Sequence, residues 1–430
     1  MSKRTLRTGD RQLIRDINIS LVVNSIRHYG PISRVDIARR TGLGRSTVSD
    51  IVGLLLKEEF VTETGSGHPN ASTPVVGRPP VMLEFKPRSR FVVAVKLAPA
   101  SVTAAVTDLD AEVIGSVERS IGIRLSEGAV RQQISETVYE ALSCCGLSMD
   151  KVIGVGVAMP GIVDSRTGVS ISPRFFPWQN LPLRSLLEEE FGVPVFIDND
   201  ANAAALAEKL KGYGRQTSDF VCVTVGIGIG AGIIIDNKLY RGSMAGAGEI
   251  GHITIQEDGP ECTCGNRGCL ELFASDDAIV REMKRIVESG CNSLVTRIAA
   301  EQNREIDRAI VACAAKEGDE AAFSVVRQAG EHIGVGLGTL VNILNPEMIV
   351  VAGEAVADFG SLLLDPIRDS ICQRSMGVLA RRLEIVESRL GAQIWIVGAA
   401  SLVLDDFFGA PIYERPGYAA AVSIPDLMQS

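Results

Sequence analysis

Hydrophobic and polar positions alternate in two different ways along the chain, and the change falls near residue 90. Over residues 11–28, Leu13, Ile14, Ile17 and Leu21 share one face at 3.6-residue spacing, which predicts a helix ended by Gly30-Pro31. Ser33 then offers its hydroxyl as an N-cap. Asp36 follows three residues on, in a capping-box-like position, and a short helix over about 33–40 leads into the turn Thr41-Gly42-Leu43-Gly44. A third helix is predicted over about 45–58. Val48, Ile51, Val52 and Leu55 form its buried stripe, while Ser46, Ser49, Asp50, Gly53 and Lys57 face away. Phe60–Glu63 and Val81–Phe85 alternate like two strands, separated by a Gly/Pro/Ser/Thr-rich stretch from Gly65 to Pro80.

Beyond residue 90 the apolar runs are continuous and β-branched. Strands are predicted at 91–95, 101–107, 112–120, 152–158, 193–197, 220–225, 230–236, 348–351 and 394–397. Helices are predicted at 127–144, 182–191 and 201–210. Such alternation argues for α/β lobes with mostly buried sheets. The expected organisation is a helical head with a strand pair and linker over 1–86 and a first lobe over 87–200. A second lobe follows over 201–410, with its final helix packing back on the first, and then a tail over 411–430.

Composition narrows the class. With 46% hydrophobic and 22% charged residues, wholesale disorder is excluded. The basic, polar start has no signal-peptide pattern and no run of about 18 apolar residues is present, which disfavours secretion and membrane insertion. Nine cysteines, an odd number, do not make a disulfide framework, so a reducing cytoplasm is expected. The net charge of −9 is unevenly spread: residues 1–60 hold 11 Lys and Arg against 6 Asp and Glu, and the rest of the chain 32 against 46. A basic head on an acidic body implies that the head alone meets a polyanion.

Two short helices joined by a Gly-containing turn, after a longer packing helix, form a helix-turn-helix pattern. The second helix would enter the major groove of double-stranded DNA amino end first, presenting Arg45, Ser46, Thr47 and Ser49. Arg34, Arg39 and Arg40 would hold the phosphate backbone. The strand pair reads as a wing, and Arg78 in Gly77-Arg78-Pro79 is a candidate for the minor groove or an ordinary linker residue.

Three motifs concentrate chemistry in the body. Asp198-Asn199-Asp200-Ala201-Asn202 lies at a strand's carboxyl end, where ligands of open α/β sheets gather, and its side chains suit sugar hydroxyls or a helix cap. Glycine at every second position from Gly226 to Gly232 fits either a phosphate-cradling loop or a crowded strand. The third motif is the most specific. His252 of Gly248-Glu249-Ile250-Gly251-His252 is followed after nine residues by Cys262, Cys264 and Cys269, a complete tetrahedral set for a structural Zn²⁺. Glu249 and Glu271 flank it. The remaining cysteines, at 144, 145, 222, 291, 313 and 372, read as small core residues.

In this order, Pro160-Gly161, Asn199-Asp200-Ala201-Asn202, Glu249-Ile250-Gly251-His252 and Cys262-x-Cys264-Gly-x-x-Gly-Cys269-x-Glu271 resemble the ROK family of sugar kinases and sugar-responsive repressors. The helix-turn-helix, wing and Gly-Arg-Pro linker resemble its repressor branch. The resemblance implies a winged helix-turn-helix followed by a two-lobed, actin-like (ribonuclease-H-like) ATPase-type α/β fold. It also implies sugar contacts from the Gly161 backbone, Asn199, Asp200, Glu249, His252 and Glu271, with His252 serving zinc as well. Asp200 would be the sugar-activating base in a kinase.

The departures from the kinase pattern weaken an ATP site. Where kinases of the family carry Asp-x-Gly-x-Thr, this chain has Lys96-Leu97-Ala98-Pro99-Ala100-Ser101, and Pro99 removes a backbone donor. Gly226-Ile227-Gly228 lacks the usual threonine hydroxyl, and Gly353-Glu354 sets a carboxylate where a second glycine is usual. Arg174 stands where the family often has asparagine. The expectation is therefore a cytoplasmic, non-enzymatic repressor of carbohydrate genes. It would bind a DNA operator as a homodimer or homotetramer and respond to a sugar or sugar derivative. The alternatives are an ATP-dependent sugar kinase with a DNA-binding head, and a repressor controlled by a partner protein.

Overall fold

The computed structural model describes residues 10–65, 80–122, 125–409 and 424. Arg78, most of the Gly65–Pro80 stretch and the 411–430 tail (save residue 424) lie outside the described residues. The chain divides into two compact units, one of residues 1–198 with 399–430 and one of Asn199–Gly398. The division falls within the last helix, whose residues up to Gly398 group with the second unit and those from Ala399 with the first.

The first unit opens with α1 (Arg11–Tyr29), β1 (Ile32–Ser33), α2 (Arg34–Thr41), α3 (Arg45–Lys57), β2 (Val61–Thr64) and β3 (Met82–Phe85). Ser33 caps α2: its Oγ accepts the Asp36 N–H at 3.2 Å and donates to the Asp36 carboxylate at 2.7 Å. Val48, Ile51, Val52 and Leu55 are the buried stripe of α3. The two wing strands pair antiparallel, and β1, which the sequence pattern does not reveal, completes the sheet in the order β1-β3-β2.

The predicted face of α1 is a correction. Ile14 and Leu21 are 55% and 43% exposed, whereas Leu13, Asp16, Ile19, Ser20, Val22, Val23 and Ile26 are buried. The helix is covered on more than one side, by α2, α3 and β3 and also at Gly409, whose carbonyl accepts from Ser20 Oγ, so a single apolar stripe does not set its phase.

The body of this unit contains β4 (Phe91–Leu97), β5 (Ser101–Asp108), β6 (Val113–Ser120), α4 (Glu127–Cys144), β7 (Val152–Met159), β8 (Ile162–Asp164), β9 (Val169–Ser172), α5 (Leu183–Phe191) and β10 (Val195–Asn199). The sheet order is β10-β7-β4-β5-β6, with β4, β5 and β6 antiparallel and β7 parallel to β4.

The second unit contains α6 (Asp200–Lys211), β11 (Phe220–Val225), β12 (Ile229–Ile235), β13 (Lys238–Tyr240) and α7 (Glu271–Ala274). It continues with α8 (Asp276–Glu288), α9 (Leu294–Glu301), α10 (Arg308–Lys316), α11 (Glu320–Leu344), β14 (Met348–Ala352), α12 (Glu354–Phe359), α13 (Ser361–Arg374), α14 (Gly377–Ala380) and β15 (Glu384–Glu387). Its sheet order, β13-β12-β11-β14-β15, repeats that of the first unit: three antiparallel strands, then parallel ones. Two units of this ribonuclease-H-like order make the actin-like α/β fold the sequence led us to expect.

The final element corrects a second expectation. Residues 394–397 are not a strand but the start of α15 (Ile394–Phe408). A short apolar run reads alike in both states, and here Gly398, Ala399 and Ala400 extend it without a polar break. By length and composition Gly391–Phe408 could cross a membrane, yet 72% of it is buried within the protein. Its start lies on α6, where a Cβ at Gly398 would be 2.4 Å from Ala203 O. From Ala399 on it lies on β7, where a Cβ at Gly156 would be 1.9 Å from Ala399 O. The helix ends under the head. Asn24 Nδ2 donates to Phe408 O at 2.9 Å, Arg27 lies 4.1 Å from the Phe408 ring, and Phe60 and Phe85 pack on Phe407 and Phe408.

Of the six cysteines expected in the core, only Cys222 is buried; Cys145 and Cys313 are half-buried and Cys144, Cys291 and Cys372 are exposed.

Candidate functional site

The metal-ligand set is assembled by tight turns in the second unit. At Gly248, φ is +90° and a Cβ would lie 1.8 Å from Ala231 O, so only glycine lets the segment lie against β12, where the Ala231 N–H donates to Gly248 O at 2.9 Å. This seats Glu249 and His252. The cysteine loop folds back through Cys262 N–H to Asn266 O at 2.7 Å and Gly268 N–H to Pro260 O at 2.9 Å.

The result brings the ligand atoms of His252, Cys262, Cys264 and Cys269 all within 4.8 Å of one another. Cys262 Sγ is 3.6 Å from His252 Nδ1, and Cys264 Sγ is 3.6 Å from Cys269 Sγ. Donors about 2.0–2.3 Å from one ion at tetrahedral angles stand roughly 3.5–3.8 Å apart, so the group has the dimensions of a metal site. Burial opposes ionisation of Cys262, but hydrogen bonds from the Cys264 backbone and its neighbours bring it down to about 7. Burial and the adjacent sulfurs push Cys269 up to about 12. Four thiol and imidazole donors in such a state are suited to a cation that displaces their protons.

His252 is used on both edges. Nδ1 faces the sulfurs, while Nε2 lies 4.0 Å from Glu249 Oε2. A metal on Nδ1 leaves Nε2–H to donate toward a carboxylate or a ligand hydroxyl. Glu271, 4% exposed, starts α7 two residues beyond Cys269, so the same loop fixes both flanking glutamates. At the amino end of α6, Asn199 is the helix cap, its Oδ1 accepting Ala201 N–H at 2.8 Å and Asn202 N–H at 3.2 Å. Asp200 Oδ1 accepts Ala201 N–H at 2.9 Å, and both residues are half-buried. Gly161 belongs to the first unit, at a turn with φ +93°.

The alternating glycines divide by role. Gly230 and Gly232 lie on β12 beneath α6: a Cβ at Gly232 would be 2.4 Å from Ala201 O and 2.5 Å from Ala205 Cβ. They serve close packing. Gly226 forms a turn, but a Cβ there would be 2.9 Å from Glu354 Oε2 and 4.0 Å from Asp276 Oδ2. Asp276 N–H donates to Gly226 O at 2.9 Å. Arg308 bridges the Asp276 carboxylate at 2.5 Å and Asp358 at 2.7 Å. Burial raises Asp276 to about 6 against the attraction of Arg308, and Glu354 adds repulsion. Beside this network lies a pocket of about 460 Å³ lined by Ile227, Asp276, Asp277, Arg304, Asp307 and Arg308 among others. Only Ile227 and Glu354 were legible in the sequence. Asp276, Arg308 and Asp358 are 32 and 50 residues apart and share no motif.

In the head, α3 begins at Gly44 with no side-chain cap, leaving its first N–H groups available to an acceptor from outside. Arg45, Ser46 and Ser49 are exposed there and Thr47 is half-buried. Arg34 pairs with Glu63 at 2.8 Å, Arg39 with Asp36 at 2.9 Å, and Arg40 stacks 3.9 Å over Tyr29. Three cations expected to hold the phosphate backbone are thus already oriented by neighbours.

The ROK family model matches residues 92–406, most of the chain. The chain belongs to the ROK family. Among ROK proteins it is similar to the xylose repressor of Caldicellulosiruptor bescii, 34% identical over 405 residues that cover 94% of this chain and all of that one. It is 28% identical to the DNA-binding transcriptional dual regulator NagC of Escherichia coli, over 92% of this chain and 94% of that one. The structure of a ROK family transcriptional regulator, a homolog of the Escherichia coli MLC protein, matches with TM-score 0.81 and 28% identity over 93% of this chain and 98% of that one. A ROK family glucokinase from Streptomyces griseus, solved with glucose and AMPPNP, matches with TM-score 0.65 and 30% identity over 73% of this chain and 98% of that one.

Proposed function

We propose that the chain is a DNA-binding transcriptional regulator, a repressor of carbohydrate genes controlled by a sugar or sugar derivative. It acts in the cytoplasm on a double-stranded operator, as a homodimer or larger homo-oligomer. The observation that carries this reading is the joining, in one chain, of an uncapped helix-turn-helix amino end with the His252, Cys262, Cys264 and Cys269 group that Glu249 and Glu271 flank; relatives named as repressors match over nearly their whole length. Asn199, Asp200, Glu249, His252, Glu271 and the Gly161 backbone receive the sugar. Zn²⁺ bound by His252, Cys262, Cys264 and Cys269 holds Glu249, His252 and Glu271 in place, a structural role. Arg45, Ser46, Thr47 and Ser49 read base edges, and Arg34, Arg39, Arg40 and Arg78 hold phosphates or the minor groove. The test is operator binding with and without a sugar panel, beside the Arg45→Ala protein. Loss of about 1–3 kcal/mol on operator with little change on random DNA is expected. Equal losses on both would refute base reading.

A second reading, a sugar kinase, is supported by the retained Asp200 and by the match to the glucokinase. Against it stand Lys96, Pro99 and the carboxylates of Glu354 and Asp276 around Gly226, which oppose a phosphate chain electrostatically. ATP turnover on a sugar panel that disappears in Asp200→Ala would establish the kinase.

A further inference from the structure

One face of α1 is polar and docked. Ser20, Asn24 and Arg27 recur at four- and three-residue steps, so they lie on one side of the helix. Ser20 Oγ donates to Gly409 O at 3.2 Å and Asn24 Nδ2 to Phe408 O at 2.9 Å, at the end of α15. Arg27 spreads its guanidinium over three partners. Nε donates to Asp110 Oδ1 at 3.0 Å, a terminal nitrogen donates to Leu109 O at 3.2 Å, and the group lies 4.1 Å from the Phe408 ring centre. Its side chain is only 10% exposed. The receiving turn, between β5 and β6, is fixed by its own bonds. Buried Asp108 folds it: Oδ1 accepts Asp110 N–H at 2.9 Å and Glu112 N–H at 3.0 Å. The same turn holds the connector from the head. Leu109 N–H donates to Pro87 O at 3.1 Å, and only residues 86–90 separate β3 from β4.

A planar fork that answers two acceptors at once fixes direction as well as distance, which a single hydrogen bond does not. We propose that Arg27, held by Asp110 and Leu109, is the positioning residue that sets the bearing of the head on the β5–β6 turn, and with it the half-site spacing that the homodimer accepts. This rests on the reading of the chain as a dimeric, operator-binding regulator. Heads fixed in this way present two recognition helices at one separation. Binding of the second head is then intramolecular, with a high effective concentration where the spacing matches and a low one where it does not. A head freed from the turn stays tethered by residues 86–90, which extend by about 3.3–3.6 Å each. It reaches half-sites displaced by one or two base pairs, but it must be ordered anew on each.

The test uses the full chain and an inverted repeat selected from random duplex DNA by the wild-type protein. The repeat is rebuilt with its half-sites one or two base pairs closer or farther apart, beside a single half-site. Wild type should lose at least about tenfold in affinity when the half-sites move by two base pairs. In Arg27→Ala and in Asp110→Asn, affinity at the selected spacing should fall by about three- to tenfold and the dependence on spacing should flatten to about threefold or less. Affinity for the single half-site should stay within about twofold of wild type, since the reading helix is untouched. Arg27→Lys, which keeps the charge without the fork, should fall between. The two losses should not add in the double variant, because both open one contact. If Arg27→Ala fails to fold, judged by melting, Asp110→Asn decides. An unchanged spacing profile in the folded variants, or a half-site affinity that falls as far as the operator affinity, would overturn this inference alone. A wild-type chain that selects no DNA, or selects half-sites with no preferred spacing, would overturn the dimeric operator-binding reading and this inference with it.

Discussion

Cys264 is the exposed member of the four-ligand group, while Cys262 and Cys269 are buried and His252 half-buried. Its substitution therefore removes a ligand with little loss of packing. Cys264→Ser is expected to lower metal content from about one zinc per chain toward zero and to reduce the melting temperature, since binding energy at a structural site is folding energy. Elemental analysis and thermal unfolding check it. About one zinc per chain retained in Cys264→Ser would mean that the metal sits elsewhere. Asp276 supports a pH prediction. Its pKa rises from 3.8 in the unfolded reference to about 6. The folded protein thus holds a proton between those values that the unfolded chain has lost, so the ionised group disfavours folding above about pH 6 and the penalty is relieved as pH falls toward 4. Asp276→Asn keeps an acceptor for Arg308 without the charge. It should raise the melting temperature at pH 7.5, with the gain fading by pH 4. A lower melting temperature at pH 7.5 would show that the Arg308 pair outweighs burial. These two sites also mark the reach of sequence reading. The metal ligands lie within 18 residues, tied by local turns, so their spacing announces them. The Asp276–Arg308–Asp358 network is made by the packing of α8, α10 and α12, which no local pattern encodes.

Elements were legible where one face is buried and obscure where several are. The stripe of α3 could be read because one side of that helix faces solvent. α1 could not be phased, since Asp16 and Ser20 are buried beside Ile19 and Val23. For α15 the first turns, Ile394–Ala400, are apolar on every side, and periodicity there distinguishes neither face nor state. That helix has a mechanical position. It leaves the second unit at Gly398, enters the first at Ala399, and ends at Phe407 and Phe408 beneath α1, β3 and Phe60. Phe407 is fully buried, so Phe407→Ala should destabilise the protein by about 3–5 kcal/mol in denaturant unfolding. The Phe408 ring carries the contacts to Arg27 and Phe85, while Asn24 donates to its backbone carbonyl. Phe408→Ala, which removes the ring contacts to Arg27 and Phe85, should keep sugar affinity while reducing the factor by which sugar changes operator affinity, because coupling requires contacts that differ between the two states. An unchanged factor would exclude this joint as the link.

At the scale of the molecule, charge separates the work. The first 60 residues carry 11 basic against 6 acidic side chains on a chain of net −9, so association with DNA must orient the head toward the polyanion and the acidic body away from it. Arg39 is the cation best placed to act as a phosphate contact: it is 75% exposed and restrained only by Asp36, an exchangeable pair. Arg45, by contrast, opens α3 where base edges would be met. The two should therefore separate in salt titrations of operator and random DNA. Each phosphate contact contributes a slope of about −0.9 to the dependence of log K on log salt. Arg39→Ala should lower the magnitude of that slope by about one per head, with similar affinity losses on both DNAs. Arg45→Ala should instead lose selectivity. A selective loss in Arg39→Ala with an unchanged slope would assign Arg39 to a base edge rather than to the backbone.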